Sequence, residues 1–497
     1  MLHIRVVKTK GSSRSVQVYQ YKNSKRVILK HIGSGFTEAE ILVLQERAKV
    51  FIDSCTRQAY LFEQVKPQEN IVLLHQCEYL GFYYTFLYDV LSAMQHQIGY
   101  TLLADVLLND LVVMRIVEPA SKLRSIELLS TYFGFTHRRQ RFYESAVRWL
   151  ELKESIEKQT LQFARRAYGF DFSMLFYDVT TLYFETFESD DLRKPGFSKD
   201  GKSQQPQIMV ALMVTPEGFP VGYEIFPGNT FEGHTIIPVI KSFIKKHKVP
   251  HFTVVADAAM ISTANVEALR REKINYIVGA RLANIPADLL ANLDSSLSRV
   301  DGHPIRLKTP NGDLICSFSK LRYRKDKYEM EKQIEKAKTL LQNPSKIKKV
   351  KYLKSNATNT RLHEELIDKT TRLLGVKGYY TDIEQSVADN QTIISRYHDL
   401  YKIEQAFRIS KHDLQTRPIF HFKEEPIKLH LLICFMALVM SKHIEIQTGL
   451  SLRAFLTQCK KITDARLLNK TTQKEIRMRT TVPDQLEKII AKIIKPH

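Results

Sequence analysis

Three carboxylates sit where a chain rarely places a charge without a purpose. Asp178 lies inside the apolar run MLFYDVTTLYF, and Asp257 closes FTVVAD just ahead of Ala258 and Ala259. A carboxylate in such surroundings is costly unless it is paired or metal-bound. If the two runs are parallel neighbouring strands, both acids project at one end of a sheet. Two close carboxylates repel and raise each other's pKa unless a cation neutralises them. Hard oxygen ligands suit Mg²⁺ or Mn²⁺, and two such ions about 4 Å apart serve in-line displacement at a phosphodiester. Taken singly, each aspartate also fits a turn former or a helix cap.

A third acid, Glu404, falls in RYHDLYKIEQAFRISKHDLQTRPIF. On an ideal helical wheel Tyr397, Leu400, Glu404, Arg408 and Lys411 share one face. Ile403, Phe407 and Leu414 form the apolar stripe beside it. Glu404 would then stand at the edge of the buried face, within reach of the sheet end, and Arg408 and Lys411 could hold a phosphate. The plainer reading is an amphipathic helix with an intrahelical Glu404–Arg408 pair.

These residues need elements to position them. From about Phe170 the pattern is β-type: MLFYDVTTLYF, then QIMVALMV and PVGYEIF joined by the turn Thr215-Pro216-Glu217-Gly218. A helix over HTIIPVIKSFIKKH, the strand FTVVA, a helix over NVEALRREK and the strand NYIVGAR follow. A meander followed by crossover helices predicts a mixed five-stranded sheet flanked by helices. The spacing predicts one helix from about Asn390 to His412.

Around this core the chain divides further. Residues 1–36 contain no Asp or Glu and eight Lys or Arg, with β-type runs that predict a small basic β-meander. That sheet could touch a phosphate backbone or be an ordinary solvated surface. Residues 37–168 read helical, with the basic cluster His137, Arg138, Arg139 and Arg141. A helical DNA-binding domain, for example of helix-turn-helix type, and a plain helical domain fit equally well. The catalytic sheet would occupy residues 169–282 and 378–440, interrupted by a basic insertion at 283–377. Between Lys320 and Lys354 thirteen Lys or Arg face four Asp or Glu, interleaved with Tyr323, Tyr328 and Tyr352. That mixture suits a nucleic-acid surface, although a solvated helix over packed tyrosines has the same composition. Residues 441–497 read as a C-terminal helical region.

Composition points the same way. Of 497 residues 74 are Lys or Arg and 53 are Asp or Glu, a formal charge of +21. Such a chain attracts polyanions, nucleic acid first and anionic membrane second. The most apolar run, Leu429 to Met440, is too short to span a bilayer, which needs roughly 20 residues. No apolar leader is visible at the N-terminus. Five sparse cysteines without a C-x-x-C pair give no zinc motif and fit free thiols in a cytoplasm. No G-x-x-x-x-G-K-[ST] phosphate loop occurs.

Tyr397, Leu400, Glu404 and Lys411 fall at the spacing Y-(2)-R-(3)-E-(6)-K, with Leu400 at the Arg position. With YDVTTLYFET, PQIMVALMVTPEGFPVGYEIFPGNTFEGHT and ADAAM, the chain from about residue 98 to 440 resembles the DDE transposases of bacterial insertion sequences that carry this signature. The resemblance implies an RNase H-like α/β catalytic domain with Asp178, Asp257 and Glu404 as catalytic metal ligands, and a basic insertion before the last catalytic helix. The 79 positions from Asp178 to Asp257 and the 147 from there to Glu404 fit that layout.

The expected function is a DNA transposase. It would bind the terminal inverted repeats of its element, bring two ends together as a homodimer, and cleave and transfer strands into target DNA with two Mg²⁺ or Mn²⁺ ions. Lys411, Arg408, Tyr397, Tyr323 and Tyr328 are the expected DNA contacts. The expected location is the bacterial cytoplasm, at the nucleoid, with no membrane partner. Two alternatives are a metal-dependent nuclease on the same fold without strand transfer, and a non-enzymatic DNA-binding protein descended from such an enzyme.

Overall fold

The computed structural model describes residues 2–9, 11–22, 24–56, 74–198, 201–249, 251–260, 262–342, 350–355 and 360–494. The chain forms two compact units. One comprises Met1–Asp89, Ser130–Phe135 and Thr457–Glu487; the other comprises Val90–Leu129, Thr136–Leu456 and Lys488–His497.

In the first unit β1 (Leu2–Lys8), β2 (Arg14–Lys22) and β3 (Lys25–Gly35) make an antiparallel meander. Alternation puts Val16 and Val18 on one face, where they pack on Ile41, Leu44 and Ala48 of the helix Glu38–Thr56. Gly33 allows the close approach, since a Cβ there would lie 2.7 Å from Leu44 Cδ2. Strand β4 (Cys77–Tyr83) belongs to a second sheet of this unit.

The second unit is built on an eight-stranded mixed sheet. Strands β5 (Met174–Tyr183), β6 (Gln207–Val214) and β7 (Pro220–Pro227) form the meander, and β8 (Thr253–Ala256) and β9 (Asn275–Gly279) run parallel to β5. The hairpin of β10 (Ile305–Thr309) and β11 (Gly312–Phe318) lies beyond them, while β12 (Leu353–Ser355) and β13 (Thr360–Leu362) pair only with each other. Strand β14 (Val376–Thr381) completes the order β10-β11-β14-β9-β8-β5-β6-β7.

This corrects the expected five strands. The segment read as a separate basic insertion contributes β10 and β11 to the same sheet. Its hairpin turns at Pro310-Asn311, where Gly312 takes φ +98°. The edge of β9 would otherwise be unpaired; β14 and β11 extend it antiparallel. The basic residues that marked the insertion fall mainly on the helix Lys320–Leu341. Positions 343–349 of the basic run lie outside the described residues.

Back in the first unit, β15 (Asp464–Asn469) and β16 (Lys474–Arg479) form a hairpin whose first strand pairs with β4. The C-terminal region is therefore not wholly helical. Arg479 holds the junction by donating to Asp464 at 2.7 Å and to Asp89 at 2.9 Å.

Two helices anchor the core of the second unit. Eleven of the twelve residues of Val106–Val117 are buried, and the helix packs on Glu424–Thr448. The latter is long and apolar enough to cross a membrane by length and composition, and runs well past the twelve-residue apolar stretch seen in the sequence. Within this unit it is a core helix, apolar all round and buried.

Candidate active site

Strands β5 and β8 are adjacent and parallel, and Tyr177 pairs with Ala256. Asp178 and Asp257 each follow by one residue, so neighbouring backbones about 5 Å apart carry the two acids side by side where β8 ends, Asp178 being mid-strand because β5 runs on to Tyr183. Asp178 shares its face of β5 with Thr180 and Leu182. The opposite face points Tyr177 to Thr235, whose Oγ1 accepts its hydroxyl at 2.6 Å.

Asp257 is exposed where β8 ends. Its Oδ1 accepts the Ala258 N–H at 2.6 Å and the Tyr397 hydroxyl at 3.2 Å. Tyr397 reaches it because β9 ends in Gly279: a Cβ there would stand 2.5 Å from Tyr397 Oη. Burial, then Asp257 and Asp178, push the Tyr397 hydroxyl well above the ordinary tyrosine range. It is therefore a donor at neutral pH, and it senses both aspartates.

The expected continuous helix is interrupted. Asn390–His398 packs on β8, β9 and β14, and Tyr401–Arg408 packs on β5 and β6. Between them Leu400 N–H donates to Tyr397 O at 3.1 Å and Lys402 N–H to Asp399 O at 3.0 Å, a tighter winding. After Arg408 the chain widens into one π-type turn, Ile409–Asp413, closed by Leu414 N–H on Ile409 O at 2.9 Å. The five residues expected on one face are thus divided. Tyr397 and Leu400 are buried, Glu404 and Arg408 are exposed, and Lys411 on the wide turn is half-buried. An ideal wheel fails here because the winding is tightened before Glu404 and loosened after it.

Lys411 lines a cavity of about 40 Å³ with Thr180, Leu182 and Phe407, enclosed by its own segment, β5, β6, β7 and the helix Glu424–Thr448. That segment is tied to the core. Thr416 N–H and Oγ1 both donate to Ser410 O, at 3.0 and 2.7 Å. Thr416 O accepts from His430 Nε2 at 3.0 Å, and His430 Nδ1 accepts from Lys122 Nζ at 2.9 Å. Complete burial lowers both basic groups well below their ordinary values, which keeps the imidazole neutral with its proton on Nε2.

One residue of the site escaped sequence reasoning. Lys377, on β14, lies 5.1 Å from the Tyr397 ring centroid and 5.6 Å from that of Tyr379. Burial and the Arg322 guanidinium lower its pKa, and attraction to Asp257 and Glu404 opposes them. One ammonium therefore senses both acids, although they are far apart in sequence. In sequence it is an unremarkable Lys in RLLGVKGYYTDI; only the pairing of β14 with β9 brings it here.

The expected aromatic DNA contacts divide. Tyr328 is exposed on the helix Lys320–Leu341, whereas Tyr323 is half-buried against Phe318, ring centroids 5.9 Å apart, and beneath Gly375. Tyr352 is wholly buried, which removes it as a surface contact.

Among the described residues no three of His, Cys, Asp and Glu are close enough to form a ready metal cage. The donor set nonetheless fits a hard divalent cation. Two carboxylates sit on adjacent strands, a third lies on a helix packed against one of them, and all are oxygen donors.

Residues 171–440, more than half of the chain, match the family described as Transposase DDE domain. No curated protein matches. Among solved structures, a cryo-EM structure of a piggyBac transposase synaptic complex with hairpin DNA is similar at 11% identity. The match covers 82% of this chain and 77% of that one, with a TM-score of 0.37.

Proposed function

The chain belongs to the Transposase DDE domain family, and from that membership we propose that this DNA transposase binds the terminal inverted repeats of its own element as a homodimer and carries out metal-dependent cleavage and strand transfer. The observation that carries the chemistry is the pairing of β5 with β8, which sets Asp178 beside Asp257. Packing of the Glu404 helix on β5 supports Glu404 as the third acid. The order β7-β6-β5-β8-β9, with β6 antiparallel to its neighbours and β5, β8 and β9 parallel, supports an RNase H-like reading of the core.

Asp178, Asp257 and Glu404 would hold Mg²⁺ or Mn²⁺. Bound divalent ions supply an acidified water and charge stabilisation at the attacking and leaving oxygens. The chain's own residues set up that chemistry. The Tyr397 hydroxyl fixes the Asp257 carboxylate by donating to Oδ1. Lys377 supplies positive charge that Asp257 and Glu404 share in the ligand-free chain. Arg408 and Lys411 follow Glu404 on the same segment and offer cations to DNA phosphates. Water attacks the phosphorus first, which breaks the P–O3′ bond and leaves a 3′-hydroxyl and a 5′-phosphate; that hydroxyl then attacks a target phosphodiester and displaces the target's own 3′-hydroxyl, so one phosphodiester bond forms as another breaks.

Burial pushes the Cys316 and Cys459 thiols up to about 12. The transposase would act in a bacterial cytoplasm, at the nucleoid. The reading is tested by incubating the protein with Mg²⁺, a labelled duplex of its flanking inverted repeat and an unlabelled target plasmid. The expected result is a nicked end followed by label joined to the plasmid. Nicked product that never joins target, at any metal or protein concentration, would reduce the activity to hydrolysis.

A further inference from the structure

Among the described residues of its unit, the N-terminal meander has one face on its helix and no element packed on the other. Alternation puts His3, Arg5, Gln17, Tyr19 and Tyr21 on the open face, together with Arg26, which is paired with Tyr21. No carboxylate occurs before Glu38, and Glu38 is engaged by Arg14 at 2.7 Å. A sheet face this basic attracts a polyanion.

The cations on it are held in place. Arg5 Nε and Nη2 both donate to Gln17 Oε1, at 3.0 and 2.8 Å. The Arg26 guanidinium lies 4.9 Å from the Tyr19 ring centroid and donates to Tyr21 Oη at 3.3 Å. The rings brace one another: His3 and Tyr19 centroids are 5.5 Å apart, and Tyr19 and Tyr21 are 5.7 Å apart, edge to face. Side chains already ordered lose little freedom when a ligand arrives. Ile28, cross-strand from Tyr19, stays 48% exposed on the same face.

We propose that this open sheet face is a docking surface for double-stranded DNA, lying against the major groove of the element's end. The strands lie about 4.8 Å apart, so β2 with either neighbour makes the two-stranded ribbon that the major groove, about 12 Å wide, admits. Guanidinium groups on a groove-facing sheet recognise guanine edges, and an exposed aliphatic group such as Ile28 meets thymine methyls. The surface differs from the expected contacts near the catalytic acids: its task is to choose the end, not to cut it. It rests on the transposase reading for its ligand.

The test uses the full-length chain, in anisotropy titrations with three labelled probes: a terminal-repeat duplex, an unrelated duplex of equal length, and the single strand of the repeat. Two variants are compared with the wild type. Arg5→Ala with Arg26→Ala removes both ordered cations. Gln17→Glu keeps the Arg5 contact, now as an ion pair, and adds one negative charge to the face, so its fold is retained. Both should bind the repeat duplex roughly ten-fold or more weakly. Both should lose preference over the unrelated duplex, and the double variant should flatten the salt dependence by roughly 0.9 in slope for each phosphate it no longer neutralises. Mg²⁺-dependent cleavage at saturating protein should persist. Wild-type affinity and preference in both variants would overturn the proposal, and so would a defect seen on the single strand alone. Absence of cleavage by the wild type would count against the transposase reading, while the duplex titrations would still judge this face.

Discussion

Replacing Gly279 by Ala tests how the site holds Asp257. The added methyl would meet Tyr397 Oη at 2.5 Å, and Ala258 Cβ and N at 3.1 Å. Gly279 has no positive φ, so alanine carries no backbone strain and the effect is steric. Tyr397 cannot swing freely, since its ring lies 4.7 Å from that of Tyr379 and beneath Lys377. Overpacking of this kind costs about 1–3 kcal/mol. Tyr397→Phe instead removes the hydroxyl and its 3.2 Å bond to Asp257; because Asp257 is open to water, that loss is about 1 kcal/mol. In the double variant the 2.5 Å clash is gone and only the 3.1 Å approaches remain. Its cost should therefore fall below the sum of the single costs by about 1 kcal/mol or more. Urea unfolding can be followed by Trp149, the only tryptophan, which is buried in the same unit. Cleavage rates should fall in each single variant and fall little further in the double. Additive costs within about 0.5 kcal/mol would show that the two groups do not meet, and would refute the proposed role of Tyr397.

Further outcomes follow from other parts of the structure. Glu404→Gln should stop cleavage at any salt while DNA binding persists, whereas Lys411→Ala should weaken DNA affinity without a rescue by excess Mg²⁺; single-turnover rates and gel shifts separate the two. His430 is held neutral by burial, and His247 and His421 are lowered to about 4. Folded-state values below the unfolded ones mean stability is complete above about pH 6.5 and is lost as pH falls toward the folded values. His430 accounts for at most about 1.4 kcal/mol per pH unit, and the less buried pair for less. Urea midpoints that stay flat from pH 7 to 5 would contradict this. Neutralising Lys320, Lys325, Lys332 and Lys336 should make log K against log salt shallower by roughly 0.9 for each DNA phosphate left without its lysine, and an unchanged slope would make that helix a solvated surface.

Much of the site was legible because its signals are local. Period-two runs with an acid at position 178 and another just past a strand predicted β5 and β8, and short turns fixed their neighbours. What escaped depended on distant pairing. Lys377 reaches the acids only because β14 adds to β9 across a long excursion, and no local pattern marks it. The hairpin turn at Pro310-Asn311 was overshadowed by the adjacent basic helix, so β10 and β11 were assigned away from the sheet they extend. The break at Leu400 and the wide turn at Lys411 lie in a sequence with no Gly or Pro to announce them, and are set by docking on two different groups of strands. The β15–β16 hairpin pairs with β4 from the far end of the chain, beyond any periodicity argument.

The most direct measurement of the central claim compares wild type, Asp178→Asn and Asp257→Asn in single-turnover cleavage of the end duplex with Mg²⁺, beside affinities measured in Ca²⁺. Binding rests on Lys and Arg contacts to phosphates. Both variants should therefore bind the duplex with nearly wild-type affinity and yield no nicked product, and the wild type should be inactive in chelator. Cleavage at a near wild-type rate by either variant, or by the wild type without a divalent metal, would contradict the assignment of these two carboxylates as the metal-holding centre.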